Sequence, residues 1–130
     1  GQYIRDNHGT CEVYPAPFAV NLDAEDKDWV EPDISVICDQ SKLDDRGCNG
    51  APDLVIEVVS PSSRKMDYFR KNTLYSESDV LEYWIVDPDR VRTTIYRYQH
   101  GEVPVIVPFA EEARVGIFPG LAIKISDLLK

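Results

Sequence analysis

Asp53-Leu54-Val55-Ile56-Glu57-Val58-Val59, fenced by Pro52 and Pro61, is the most apolar short run in the chain. Its length, its β-branched residues and its flanking prolines read as a strand covered on both faces, hence central in a sheet. Glu57 interrupts it. A carboxylate buried without a partner costs several kcal/mol, roughly, so such a group is paired, protonated or bound to metal.

Working upstream, Pro32 introduces Asp33-Ile34-Ser35-Val36-Ile37-Cys38, whose alternation predicts a half-buried strand. An earlier strand is expected at Phe18–Leu22, after the rigid Pro15-Ala16-Pro17. Asp23 to Asp28 is acidic and reads as a solvated loop, and Asp39 to Gly50 as a long polar one. Downstream, Ser60-Pro61-Ser62-Ser63 offers a helix start, with the helix running from near Arg64 to near Ser76. Met66, Tyr68, Phe69, Leu74 and Tyr75 supply its apolar surface.

Leu81–Asp87, stopped by Pro88, predicts another strong strand. Val91–Tyr98 pairs with Val103–Val107 across a turn at Gln99-His100-Gly101. Pro104 suits an edge strand. Ile117-Phe118 and Leu121-Ala122-Ile123 read as short edge segments around Pro119-Gly120, and Ser126 as the cap of a last helical turn. The order predicts an α/β (α+β) fold: one domain over residues 1–130, a mixed sheet with a helix inserted near its middle and one sheet face left open.

The chain has 130 residues, 43% hydrophobic and 28% charged, ordinary for one globular domain. No apolar run approaches the length of a membrane-spanning helix. Gly1 to Asp6 lacks the pattern of a signal peptide and reads as the interior of a domain, so an N-terminally truncated chain is expected. Cys11, Cys38 and Cys48 are an odd number without a C-x-x-C pair, which reads as reduced thiols in a cytoplasmic protein. The net charge of −9 argues against holding nucleic acid by bulk electrostatics, but clustered carboxylates are what a divalent metal requires.

Three features carry candidate chemistry. Asp33 heads a strand, Glu57 sits within one, and Asp67, Lys71 and Tyr75 share a helical face at i, i+4 and i+8. Asp33 and Glu57 on neighbouring strands can offer oxygens to one Mg²⁺ or Mn²⁺. Lys71 can orient water or stabilise charge on a phosphate, with Asp67 positioning it. Blander readings stand beside these. Asp33 can simply end a strand, Glu57 can partner a buried lysine or tyrosine, and Asp67–Lys71 can be a surface pair. Asp53 can be a strand-start residue or a group behind the site. Tyr75 and Trp84 read as core, and Ser60 and Ser62 as caps rather than nucleophiles.

Glu31-Pro32-Asp33-Ile34-Ser35-Val36, Ala51-Pro52-Asp53 through Ser63, Asp67-x-x-x-Lys71-x-x-x-Tyr75 and Glu82–Pro88 together resemble the Uma-two family of restriction-endonuclease-like proteins, from about Cys11 to about Leu129. The resemblance implies a PD-(D/E)XK-type nuclease fold with Asp33 and Glu57 as the acidic pair. Val59 stands where that pattern has its lysine, and Lys71 is similar to the migrated lysine of divergent members. The resemblance implies a preceding helix that can add an acidic residue to the site, and this sequence is expected to lack that segment. The expected function is a Mg²⁺-dependent DNA endonuclease, with a homodimer as the expected assembly. The alternatives are a non-catalytic interaction module that keeps the fold, and hydrolysis of a smaller phosphate ester.

Overall fold

The computed structural model describes residues 11–23, 29–60, 64–101 and 103–128, without the side chains of 64–68 and 100. The apolar run forms strand β7 (Leu54–Val58). It lies inside a six-stranded sheet with β1 (Glu12–Pro15), β4 (Ile34–Ile37), β8 (Glu82–Asp87), β9 (Arg92–Arg97) and β10 (Val105–Pro108), in the order β1-β4-β7-β8-β9-β10. β7 and β8 are parallel, and every other pair in this sheet is antiparallel. A parallel pair needs a crossover, and helix α1 (Arg64–Glu77) provides it. The mixed sheet with one helix near its middle is as expected from the sequence.

The pleat sends alternate residues of β7 to opposite faces. Val55 and Val59 join Ile37, Tyr75, Tyr83 and Ile85 in a core beneath α1. A second sheet covers that same face: β3 (Trp29–Val30), β2 (Val20–Asn21), β6 (Gly47–Asn49) and β5 (Leu43–Asp44). The expected polar loop between Asp39 and Gly50 therefore holds a 3-10 turn and a hairpin instead. Gly47 makes the hairpin possible: its φ is +131°, and a Cβ there would strike the carbonyl oxygen of Ala19.

On the opposite face, Val36, Leu54, Trp84 and Ile95 pack under Ala113, Val115 and Phe118. These come from the segment around β11 (Glu112–Arg114) and β12 (Ala122–Lys124), which pair with each other. The expectation of an open sheet face is thus corrected: a small hairpin covers much of it, and Ile125 of the short helix that follows packs with Phe109 against Val86 and Ile56. Helix α2 (Ile125–Leu128) follows, with the Ser126 N–H donating to the Phe109 carbonyl.

β10 is an edge strand, as Pro104 predicted. The Phe109 N–H donates to Val91 O, so alternation along the antiparallel ladder turns Pro104, Ile106 and Pro108 outward. Two of those three positions have no N–H to offer a further strand.

The cysteine expectation is also corrected. β1 runs antiparallel to β4 with Glu12 opposite Ile37, so Cys11 and Cys38 face each other and form a disulfide. Cys48 is free and buried, and that burial pushes its thiol up to about 11. Of the acidic run Asp23 to Asp28, residues 24–28 lie outside the described residues, as do residues 61–63 of the helix start at Ser60–Ser63. No helix among the described residues is long and apolar enough to cross a membrane.

Candidate active site

The β4–β7 ladder pairs Ile34 with Ile56, and one step further brings Asp33 beside Glu57. Here side chains take over from the backbone ladder. The Asp33 N–H donates to Glu57 Oε1 at 3.2 Å, and the Val58 N–H donates to Asp33 Oδ2 at 2.6 Å. Each carboxylate is therefore held by the other's strand. No free rotor is left to drift, and both acids stay at one end of the sheet.

Glu57 points to the α1 face and is 4% exposed. Two groups from α1 meet its second oxygen: Lys71 Nζ donates to Oε2 at 2.9 Å, and Tyr75 OH donates to it at 3.1 Å. The spacing of four residues places both on one helical face, as read from the sequence. Tyr75 is fully buried, edge-on to Tyr83 with ring centroids 4.7 Å apart. Burial, and then the neighbouring Glu57 charge, raise its phenol above the ordinary tyrosine value, so it remains a donor to the carboxylate. Tyr75 is thus at once a core residue and a partner of the acid.

A carboxylate offers about four lone-pair positions. On Glu57, the Asp33 N–H, Lys71 and Tyr75 use three of them. Asp33 Oδ1 accepts no hydrogen bond from any described residue, and Asp33 is only half-buried. The open valence of the pair therefore lies on Asp33 and on Oε1 of Glu57.

The structure brings Asp33, Glu57, Lys71 and Tyr75 together. It separates Asp53 from them. Asp53 lies at the opposite end of β7, where its Oδ1 accepts from the Cys38 N–H at 2.8 Å and its carbonyl accepts from Leu81 and Glu82. Asp53 is a strand-start residue that ties β4, β7 and β8. Asp67 falls within α1, and its side chain lies outside what the structure describes. Trp84 is core on the opposite face.

Two buried acids escaped the sequence reading. Asp87 ends β8 near the site, and its Oδ1 accepts from the N–H groups of Asp89 and Arg90, closing the turn into β9. The dipeptide Asp87-Pro88 after a strand was the available signal. Glu82, 1% exposed, accepts from Trp84 Nε1 at 2.6 Å and from the Gly116 N–H at 3.1 Å. Its neighbour Arg97 lies 4.0 Å away. Among the described residues, no group of three or more His, Cys, Asp or Glu side chains converges as a metal site.

Comparison with known proteins places the fold and the family. A solved structure of a protein from Anabaena variabilis, titled a putative nuclease belonging to DUF820, superposes with a TM-score of 0.72. The match covers 98% of this chain and 72% of that one at 20% identity, which establishes the shared fold. The uncharacterized protein slr1290 of Synechocystis is 29% identical over 89 residues, 68% of this chain. The chain spans 46% of the length of that relative. The model of the Uma2 family, whose description is "Putative restriction endonuclease", matches residues 1–126, and the chain belongs to that family.

Proposed function

We propose that this chain is a Mg²⁺- or Mn²⁺-dependent phosphodiesterase acting on DNA, with Asp33 and Glu57 holding the cation and Lys71 serving the phosphate. The observation that carries the reading is the convergence of two carboxylates from adjacent strands with an ammonium at 2.9 Å. The donor set fits a hard cation. It is all oxygen, it is held by backbone N–H groups, and it leaves Asp33 Oδ1 open. Two carboxylates are enough for Mg²⁺, which retains several waters and takes further ligands from a bound phosphate. When bound, the cation supplies Lewis acidity toward a phosphoryl oxygen and toward water.

The chain's own residues do the rest. Asp33 and Glu57 fix where the cation sits, because each is anchored across the β4–β7 junction. Tyr75 keeps the buried carboxylate oriented. Lys71 brings a positive charge to the place where a phosphate would gain negative charge. The family description and the nuclease-titled neighbour support DNA as the substrate. Cutting both strands would call for two copies, so a homodimer belongs to this reading, on analogy with other two-strand cutters. A cytoplasmic location belongs to it as well, and the Cys11–Cys38 disulfide is the observation that weighs against that location.

Supercoiled plasmid is the direct test. The wild-type chain nicks it in Mg²⁺ and not in EDTA, and Glu57→Gln and Asp33→Asn do not. A folded wild-type protein that leaves plasmid intact, while forming a stable complex with another protein, would favour the interaction module. That alternative draws on the charge of −9 and on Val59 in the usual lysine position. Turnover of a small phosphodiester without binding to DNA would favour the smaller substrate.

A further inference from the structure

Lys71 and a divalent cation want the same carboxylate. Lys71 Nζ lies 2.9 Å from Glu57 Oε2, and with Tyr75 it fills that oxygen. The two partners differ in freedom. The Glu57 side chain is 5% exposed and pinned by three donors, whereas the Lys71 side chain is 21% exposed on a flexible four-carbon stem. The helix that carries it is fixed: Tyr75 is buried in the core, and Tyr98 OH donates to Asn72 Oδ1 at 2.6 Å, latching α1 to the end of β9. The stem of Lys71 can therefore move while its Cα and its carboxylate partner stay in place.

We propose that Lys71 is the built-in counter-ion of the cation site: it neutralises Glu57 while no divalent ion is bound, and it is the charge that such an ion must work against. This rests on the metal-binding reading of Asp33 and Glu57 given above. A buried carboxylate beside a second acid keeps its charge only with a positive partner. Lys71 supplies one without metal, so the site is assembled before the cation arrives. The same ammonium repels an incoming divalent ion at a separation of a few ångströms, which weakens metal binding even in a solvent-like dielectric. Released from Oε2, the ammonium is available to a phosphate. Lys71 therefore sets both the metal threshold of the site and its stability without metal.

The opposing signs make the idea testable without an activity assay. Mn²⁺ is titrated by calorimetry into the wild-type protein, Lys71→Met and Glu57→Gln, and melting temperatures are recorded with and without Mn²⁺. Lys71→Met is expected to bind Mn²⁺ about tenfold tighter than wild type or more. It is expected to melt below wild type in EDTA, with the gap closing in saturating Mn²⁺, while Glu57→Gln binds none. Equal or weaker binding by Lys71→Met, with Glu57→Gln still abolishing binding, overturns the proposal and leaves the metal reading intact. Absence of binding in wild type and Lys71→Met alike overturns both. Should Lys71→Met not fold without metal, Lys71→Gln, which removes the charge and keeps an N–H donor, carries the same prediction and the same refutation.

Discussion

Glu57 and Glu82 stand on adjacent strands, β7 and β8, and are almost equally removed from water, 4% and 1% exposed. They lie on opposite faces of the sheet and toward opposite ends of β7, since Glu82 pairs with Leu54. Glu82 is met by rigid partners: the Trp84 indole, the Gly116 backbone and, more distantly, Arg97, whose Nη2 donates to the Arg114 carbonyl at 2.7 Å. Glu57 is met by a second carboxylate's strand and by a cation on a mobile stem. A cleft of about 290 Å³ is lined by Glu82 itself together with Cys11, Cys38, Asp53, Arg97 and Gly116, and Glu82 Oε2 is taken up there by the Trp84 and Gly116 N–H groups. Burial alone thus does not mark a site. What sets Glu57 apart, on the proposed reading, is an acid locked against it across adjacent strands and a lysine counter-ion on a flexible stem, whereas Glu82 fastens the β11–β12 segment onto the sheet.

The largest effect should fall on the chemical side. Glu57→Gln is expected to lower Mg²⁺-dependent nicking by about a hundredfold or more, read by plasmid relaxation at equal folded protein. Nicking within a few-fold of wild type would erase the distinction between the two glutamates.

The next effect belongs to the structural side. Glu82→Ala leaves the Trp84 and Gly116 N–H groups without their shared acceptor and Arg97 without its nearby counter-charge, and should cost roughly 3–5 kcal/mol of stability in a urea titration. Nicking per folded molecule should not change. A loss below about 1 kcal/mol would mean that this cluster fastens nothing.

How much of this was legible depends on where the partners come from. Glu57 announced itself as the one charge in an apolar run, and Asp33 as the acid after a proline at a strand head; both signals are local. Lys71 and Tyr75 were legible because a helix repeats its face every four residues. The Glu82 cluster was not, because Gly116 lies 34 residues away and contributes only a backbone N–H. Strands β3, β5, β6 and β11 were missed because two- or three-residue strands carry no measurable alternation, and tertiary packing decides them. The disulfide needed the β1–β4 register, and β1 itself, with Pro15 at its end, did not read as a strand.

Gly116→Ala probes the same fastening more gently. A Cβ there would come within 2.5 Å of Glu82 Oε1 and 2.9 Å of Arg97 Nε, so the pair must shift. The expected cost is about 1–3 kcal/mol by denaturation. No change would show that the close approach of this backbone to Glu82 is dispensable.

Tyr75→Phe removes one hydrogen bond from Glu57 and nothing else, and should cost about 1 kcal/mol near neutral pH. Its pH signature is more telling. The Tyr75 pKa is raised in the folded state, so its contribution is fully present below the ordinary tyrosine value of 10.0 and is lost as pH rises above it. Cys48, shifted from 9.0 to about 11, loses its contribution in the window between those values. Stability scans from pH 8 to 11 on Tyr75→Phe and Cys48→Ala should each show a shallower alkaline decline than wild type. Parallel curves would contradict both assignments.

The most direct test of the central claim is a Mn²⁺ titration by calorimetry on two charge-neutral, nearly isosteric variants, Glu57→Gln and Glu82→Gln, beside wild type. The account predicts a saturable site in wild type that is retained in Glu82→Gln and absent in Glu57→Gln. Equal binding in the two variants, or loss in Glu82→Gln alone, would contradict it.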